Sequence, residues 1–429
     1  MGKIEKVFEK IKQVIEKLFD TGFFHVFGSN VINKILGFAS SIFIVRLISK
    51  ADYGVYSVAL NYLSFFLIVS GMGMISAVLQ LCSENAKDDK KNLAVYRYGS
   101  SIGIKFNIVL RVVILVVAYI LPNKIAGANQ ILMWLAFIPF FEIINEFQKT
   151  YFRSRLDNKS YAFSNSIGSF FVVVCSVTGA FLYGVKGMIV GRYLAAILTA
   201  TISNKWLKGP VYIKTPRETK LEKKALYNIS FISMANGGLS ELLYLFDVLI
   251  IGQVIAASET VADYKIAIII PTALIFIPAS VCIYIYPYFS LNKDNGGWVR
   301  EHFKMVLIAM GAINLCISAT LIIFAPYIIE IVFGQQYLSA VPIFRVAALN
   351  YFFMGTFKTI AGNLLVTQRK LKFNFYISAI AGVINVISNY FFITMMGAIG
   401  AAWTTLVISL TTGIVSTLYF TKVINKISD

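Results

Sequence analysis

Charge is what this chain has least of. Of its 429 residues, 14% are Asp, Glu, Lys or Arg, whereas a water-soluble domain carries roughly 25%. Water is therefore not the main solvent of its surface. Histidine is nearly absent: His25 and His302 are the two in the chain, too few and too separated for a metal site or a triad. The four cysteines, Cys82, Cys175, Cys282 and Cys316, fall in or beside apolar stretches without metal-ligand spacing, and read as small packing residues. No Walker, dinucleotide-binding or nucleophile-elbow pattern occurs. An ATP-driven pump and a soluble-type enzyme are thereby disfavoured, and no catalytic residue, metal or cofactor is expected.

What is present in abundance is apolar length. The composition is 58% hydrophobic with a mean hydropathy of +0.73. Stretches of roughly 20 residues between charge clusters can cross a hydrocarbon core of about 30 Å as helices. Lipid offers no partner to an unpaired amide, which favours helices. We read about twelve spans between Gly22 and Phe420, an all-α polytopic membrane protein. Lys and Arg are retained on the cytoplasmic side of a membrane. With the N-terminus inside, the inner segments hold most of the 39 basic residues, and the outer connections hold Lys50, Lys124, Lys186 and Lys265. Both termini are then cytoplasmic, and the net charge of +18 reflects topology and anionic-lipid contact rather than nucleic-acid binding.

The organisation reads as five segments. Residues 1–21 place Ile4, Phe8, Ile11, Ile15 and Leu18 at helical spacing opposite Lys and Glu, the pattern of a cytoplasmic amphipathic helix lying on the inner leaflet. A partner-binding helix has the same pattern. Residues 22–207 form a first six-helix bundle, 208–226 a basic cytoplasmic linker, 227–420 a second six-helix bundle and 421–429 a cytoplasmic tail. Two motifs recur at nearly one offset and at equivalent hairpins. Ala51-Asp52-Tyr53 returns as Ala262-Asp263-Tyr264, and Gly184-x-x-Gly187 as Gly397-x-x-Gly400. This argues for duplication. The repeats are parallel, so a pseudo-two-fold axis along the membrane normal would relate the bundles around a central cavity.

A charge at the bilayer centre costs about 2.5–3.5 kcal/mol on insertion scales, which makes intramembrane ionisable residues functional candidates. Lys34, Arg111 and Lys358 are candidates for holding an anionic headgroup, with phosphate or pyrophosphate a good match. A structural reading pairs Arg111 with Glu142 and Lys105 with Glu146. Asn33 on the first span and Asn236, Ser240 and Tyr244 on the seventh lie in polar stripes expected to face the cavity. Glu241, Asp247 and Glu142 are candidates for binding a proton or sodium ion, or for partnering the cations. Pro271 and Pro278 should kink the eighth span.

Arg46-Leu47-Ile48-Ser49-Lys50-Ala51-Asp52-Tyr53-Gly54-Val55-Tyr56-Ser57-Val58-Ala59, Gly397-x-x-Gly400-Ala401-Ala402 and the six-plus-six layout together resemble the polysaccharide members of the multidrug/oligosaccharidyl-lipid/polysaccharide exporter superfamily. The second hairpin departs from the pattern, with Lys265 where the first has Gly54. The resemblance implies a flippase of a bacterial inner membrane, similar to O-antigen flippases of lipopolysaccharide assembly. Such a protein moves an undecaprenyl-pyrophosphate-linked oligosaccharide to the periplasmic leaflet by alternating access, a transporter and not an enzyme. The implied partners are that lipid-linked substrate and membrane lipids, with polysaccharide assembly proteins as further candidates. The alternatives are a cation-coupled multidrug exporter of the same superfamily and a membrane-embedded glycan polymerase or transferase.

Overall fold

The computed structural model describes residues 23–84, 88–210, 223–368 and 370–427, and within these the side chains of residues 23–27, 83–84, 236–244, 283–284, 287, 290–291 and 371 are not described. The amphipathic segment 1–21 and most of the basic linker lie outside the described residues. Everything regular in the described part is helical. The first group is α1 (Phe23–Leu47), α2 (Lys50–Leu67), α3 (Met74–Glu84), α4 (Asp89–Ile120), α5 (Ala128–Leu135), α6 (Ile138–Ser154) and α7 (Asn158–Lys205). After the linker come α8 (Lys223–Val254), α9 (Ser258–Leu274), α10 (Phe276–Leu291), α11 (Gly296–Ile323), α12 (Ala325–Phe333), α13 (Val341–Phe353), α14 (Thr359–Thr367), α15 (Leu371–Met396) and α16 (Ala398–Ile424). Ten stretches among the described residues are long and apolar enough to cross a membrane. Their outward faces are apolar: Val109, Val112, Val116 and Ile120 lie exposed along one side of α4, as lipid solvent requires. The all-α polytopic class expected from composition is the observed one.

α7 runs to 48 residues, about 72 Å at helical rise and more than twice a hydrocarbon core. It folds back on itself. Gly184 takes φ 58°, ψ −143°, a region open essentially to glycine alone. A Cβ on Gly187 would overlap the Gly179 carbonyl, and one on Gly191 the Cys175 carbonyl, so the two arms lie antiparallel with backbones in contact. The second copy repeats this geometry. Gly397, between α15 and α16, takes φ 71°, ψ −155°, and a Cβ on Gly400 would overlap the Phe392 carbonyl. Gly184-x-x-Gly187 and Gly397-x-x-Gly400 are thus one turn used twice.

Two spans are interrupted, each beside a buried asparagine. Gly71, Met72 and Gly73 all have positive φ and separate α2 from α3. Asn107 of α4, fully buried, accepts from the Gly71 N–H (2.7 Å) and donates to the Pro139 carbonyl (2.7 Å) and Ser70 Oγ (2.9 Å). In the later part a π-helical turn, Met354–Lys358, joins α13 to α14. Asn314 of α11, also fully buried, accepts from the Tyr351 hydroxyl (2.8 Å) and donates to Thr356 Oγ1 (3.2 Å). Asn107 supplies an acceptor to a backbone N–H that the broken helix leaves without one, whereas Asn314 ties the π-helical turn to α11 through side-chain hydroxyls. Between Pro271 and Pro278 the helix is interrupted at Ile275: α9 ends at Leu274 and α10 begins at Phe276. Each proline lacks the N–H that would close the helix one turn earlier.

The chain divides into two compact units. One comprises residues 1–49, 59–122 and 127–242, and the other residues 50–58, 123–126 and 243–429. The first is packed around Met74, Val78, Tyr96, Ile143 and Phe147. The second is packed around Cys282, Phe303, Met310, Leu364 and Phe420. Of the four cysteines, all free, Cys82 and Cys282 are buried in these cores.

Candidate functional site

Within the second unit, three helices bring polar groups onto one carboxylate. Asp247 of α8 is 9% exposed. Its Oδ2 accepts from the Tyr264 hydroxyl of α9 (2.7 Å) and Thr405 Oγ1 of α16 (3.3 Å). Its Oδ1 accepts from Asn389 Nδ2 of α15 (2.6 Å). Asn389 Nδ2 also donates to Asn385 Oδ1 one helical turn earlier (2.9 Å). Asn389 Oδ1 is buried with no hydrogen-bond partner, and such an orphaned acceptor is a costly group to leave bare. With the Asn389 amide turned to present its oxygen, the carboxylate, two amide oxygens and a hydroxyl would make an all-oxygen donor set of the kind that takes hard cations. Among the described residues, no group of three or more His, Cys, Asp or Glu could hold a metal ion, so a single-carboxylate site suits a monovalent ion better than a multivalent one.

A second cluster in the same unit uses the repeated Ala-Asp-Tyr motifs. Lys50, at the start of α2, forms an ion pair with Asp263 at 2.7 Å, their side chains 14% and 12% exposed. Its ammonium donates to Ser339 Oγ (2.7 Å) and lies 5.7 Å from the centre of the Tyr337 ring. The approach needs Gly54, because a Cβ there would overlap the Ser258 carbonyl. Asp263 of the second motif therefore holds the helix that carries the first, and Tyr264 beside it reaches Asp247.

In the first unit the expected charge pairs are rearranged. Glu142 does not meet Arg111: its carboxylate pairs with Arg192 of α7 at 2.7 Å. Equal depth on neighbouring spans suggests the other pairing, but α7 packs closely on α6 and brings Arg192 to Glu142. Arg111 lies with its guanidinium 3.8 Å from the centre of the Phe137 ring, and its Nε is buried without a partner. Glu146 pairs with Lys149 on its own helix rather than with Lys105. Lys34 is exposed on α1. Asn33, with its amide turned to satisfy both ends, donates to Ser169 Oγ at 2.9 Å and to the Asn165 carbonyl at 3.3 Å, tying α1 to α7. Among the described residues, Lys34, Arg111 and Lys358 form no ion pair.

Lys358 ends the π-helical turn and is half-buried. Gly413 of α16 packs against its backbone. The side chains of Asn236, Ser240, Glu241 and Tyr244 lie outside the described residues. The structure thus brings Asp247 together with Tyr264, Asn385, Asn389 and Thr405, none of which sequence reasoning singled out as site residues. The signal for two of them was legible: Asn385 and Asn389 sit one turn apart in a span with no charge between Phe373 and Met396.

Fold and site define a class: a multi-pass helical membrane protein with polar groups buried inside its units and unpaired cations within its spans. Solved structures share the fold. The lipid II flippase MurJ in an inward closed conformation matches with a TM-score of 0.72 at 14% identity, over 94% of this chain and 89% of that one. An inward-facing multidrug resistance MATE family transporter of the MOP superfamily matches at 0.70 and 14%, over 92% and 95%. A MOP superfamily transporter from Pyrococcus furiosus, described as having a binding pocket of reverse polarity, matches at 0.53 and 15%, over 95% and 94%. No curated protein sequence matches. Residues 43–342 match the polysaccharide biosynthesis protein family, and the chain belongs to that family.

Proposed function

We propose that this chain is a flippase that carries an undecaprenyl-pyrophosphate-linked oligosaccharide, an O-antigen or other surface-polysaccharide repeat unit, from the cytoplasmic to the periplasmic leaflet. Membership of the polysaccharide biosynthesis protein family is the observation that carries the reading. The likeness of the fold to that of a lipid II flippase supports it. In this proposal, segments 22–207 and 227–420, joined by 208–226, are two six-helix halves in a bacterial inner membrane with both termini cytoplasmic. They expose a cavity to each side in turn, and no covalent chemistry is required.

Lys34, Arg111 and Lys358 are proposed to hold the pyrophosphate. A cation left without a carboxylate inside a span retains its full attraction for an incoming anion. Asn33, Asn236, Ser240 and Tyr244 are proposed to line the path. Ion coupling is assigned first to Asp247, beside which a turn of the Asn389 amide would gather oxygens for a sodium ion and whose carboxylate could take a proton instead. Glu241 is retained as a second candidate. For Glu142 the Arg192 pair favours a structural part.

The second reading is a cation-coupled multidrug exporter, favoured by the MATE likeness. Unpaired lysines suit an anionic cargo better than cationic drugs. Deletion of the gene separates the two readings: it should cause lipid-linked repeat units to accumulate and surface glycan to disappear. Restoration of both by the wild type but not by Lys34→Glu is the expected outcome. Unchanged glycan together with increased drug sensitivity would favour the exporter.

A further inference from the structure

At the basic end of α15 and α16 two cavities meet. One, of about 390 Å³, is lined by Lys370, Lys422 and Lys426 together with Gln368 and Tyr419, and no carboxylate lines it among the described residues. The other, also about 390 Å³, is an apolar groove between the same two helices, running from Phe373 past Tyr376 and Ile380 to Ile384. Thr411 and Val415 form its opposite wall. Phe373 of the groove stacks on Tyr419 of the basic cavity, ring centres 3.9 Å apart and planes 8° from parallel. The two cavities are thus neighbours, with a pair of stacked rings between them.

The combination has the shape and charge of an amphiphile. Three ammonium groups at one end suit a phosphate headgroup, and basic pockets between spans bind anionic lipid headgroups. Tyr376 and Ile380 are about 60% exposed, so the groove opens toward lipid. From Phe373 to Ile384 the helix rises about 16 Å, close to half of a hydrocarbon core of about 30 Å. A groove confined to one leaflet fits a phospholipid acyl chain. A polyprenyl chain would run past its end.

We propose that α15 and α16 hold an anionic glycerophospholipid of the leaflet on the lysine-bearing side, its phosphate at Lys370, Lys422 and Lys426 and one acyl chain between Tyr376 and Val415. The site is separate from Asp247 and from the cations assigned to cargo, and it does not depend on what is carried.

Native mass spectrometry of the full-length protein in detergent, titrated with phosphatidylglycerol, phosphatidylethanolamine or undecaprenyl phosphate, tests this site. Phosphatidylglycerol should bind at the lowest concentration. A lysine near a phosphate contributes roughly five-fold in affinity, so the Lys370→Gln, Lys422→Gln, Lys426→Gln protein should bind phosphatidylglycerol about a hundred-fold more weakly. Ile380→Trp, which fills the groove and leaves the lysines, should also weaken it. Equal binding of phosphatidylethanolamine by the wild type would overturn the proposal, as would undisturbed phosphatidylglycerol binding in both variants. Displacement of phosphatidylglycerol by equimolar undecaprenyl phosphate would overturn it in favour of a carrier-lipid site. The wild-type lipid preference is read without any variant, so misfolding of the substituted proteins does not obscure the result.

Discussion

Asp247 concentrates what single residues decide in this chain. Its carboxylate accepts three hydrogen bonds while Asn389 Oδ1 has none, an arrangement that gains if a cation enters and the Asn389 amide turns its oxygen inward. Asp247→Asn should keep the fold, since the shape is conserved, and should abolish the dependence of transport on an ion gradient. Reconstituted vesicles driven by imposed sodium or proton gradients give the measurement, and unchanged gradient dependence would count against the site. Lys50 acts differently. Removing it by Lys50→Ala leaves Asp263 largely buried without its cation, a change that costs about 3–5 kcal/mol for a buried pair. The melting temperature of the purified protein should fall clearly, and Asp263→Asn in the same chain should recover part of the loss.

At the scale of elements, the glycine hairpins and the interrupted spans shape each unit. Gly184 and Gly397 occupy backbone regions that cost a non-glycine residue about 1–3 kcal/mol. Gly184→Ala and Gly397→Ala should each lower the melting temperature by similar amounts, because the two turns are alike. A null effect at one of them alone would show that the duplicated turns have diverged in strain. Asn107→Ala leaves the Gly71 N–H without its acceptor in the interior, at about 1–3 kcal/mol for a buried group. That variant should be recovered from membranes in lower yield than wild type and melt earlier.

The whole molecule is governed by its solvent. Apolar side chains cover the outside of the helices, and lysine and arginine collect in the connections assigned to the inner side. Single cysteines at Lys124 and Lys426, introduced into a cysteine-free chain, should respond oppositely to a membrane-impermeant thiol reagent applied to intact cells. Labelling is expected at position 124 and protection at position 426. The reverse pattern would invert the orientation and with it the direction of transport.

The class of fold, the approximate positions of the spans and the two duplicated motifs followed from the sequence by itself. Each rests on local or periodic properties: apolar length against bilayer thickness, charge between spans, and glycine where a backbone must turn or approach another. Lys34, Arg111 and Lys358 were likewise legible, because a charge within an apolar run stands out wherever it falls. Partnership was not legible. That Glu142 meets Arg192, that Arg111 lies on Phe137, and that Asp247 gathers Tyr264, Asn389 and Thr405 from three other helices depend on which helix faces pack together. Depth in the membrane fixes only one coordinate of each side chain. Rotation and neighbour are set by the packing of the helices, and those the tertiary structure decided.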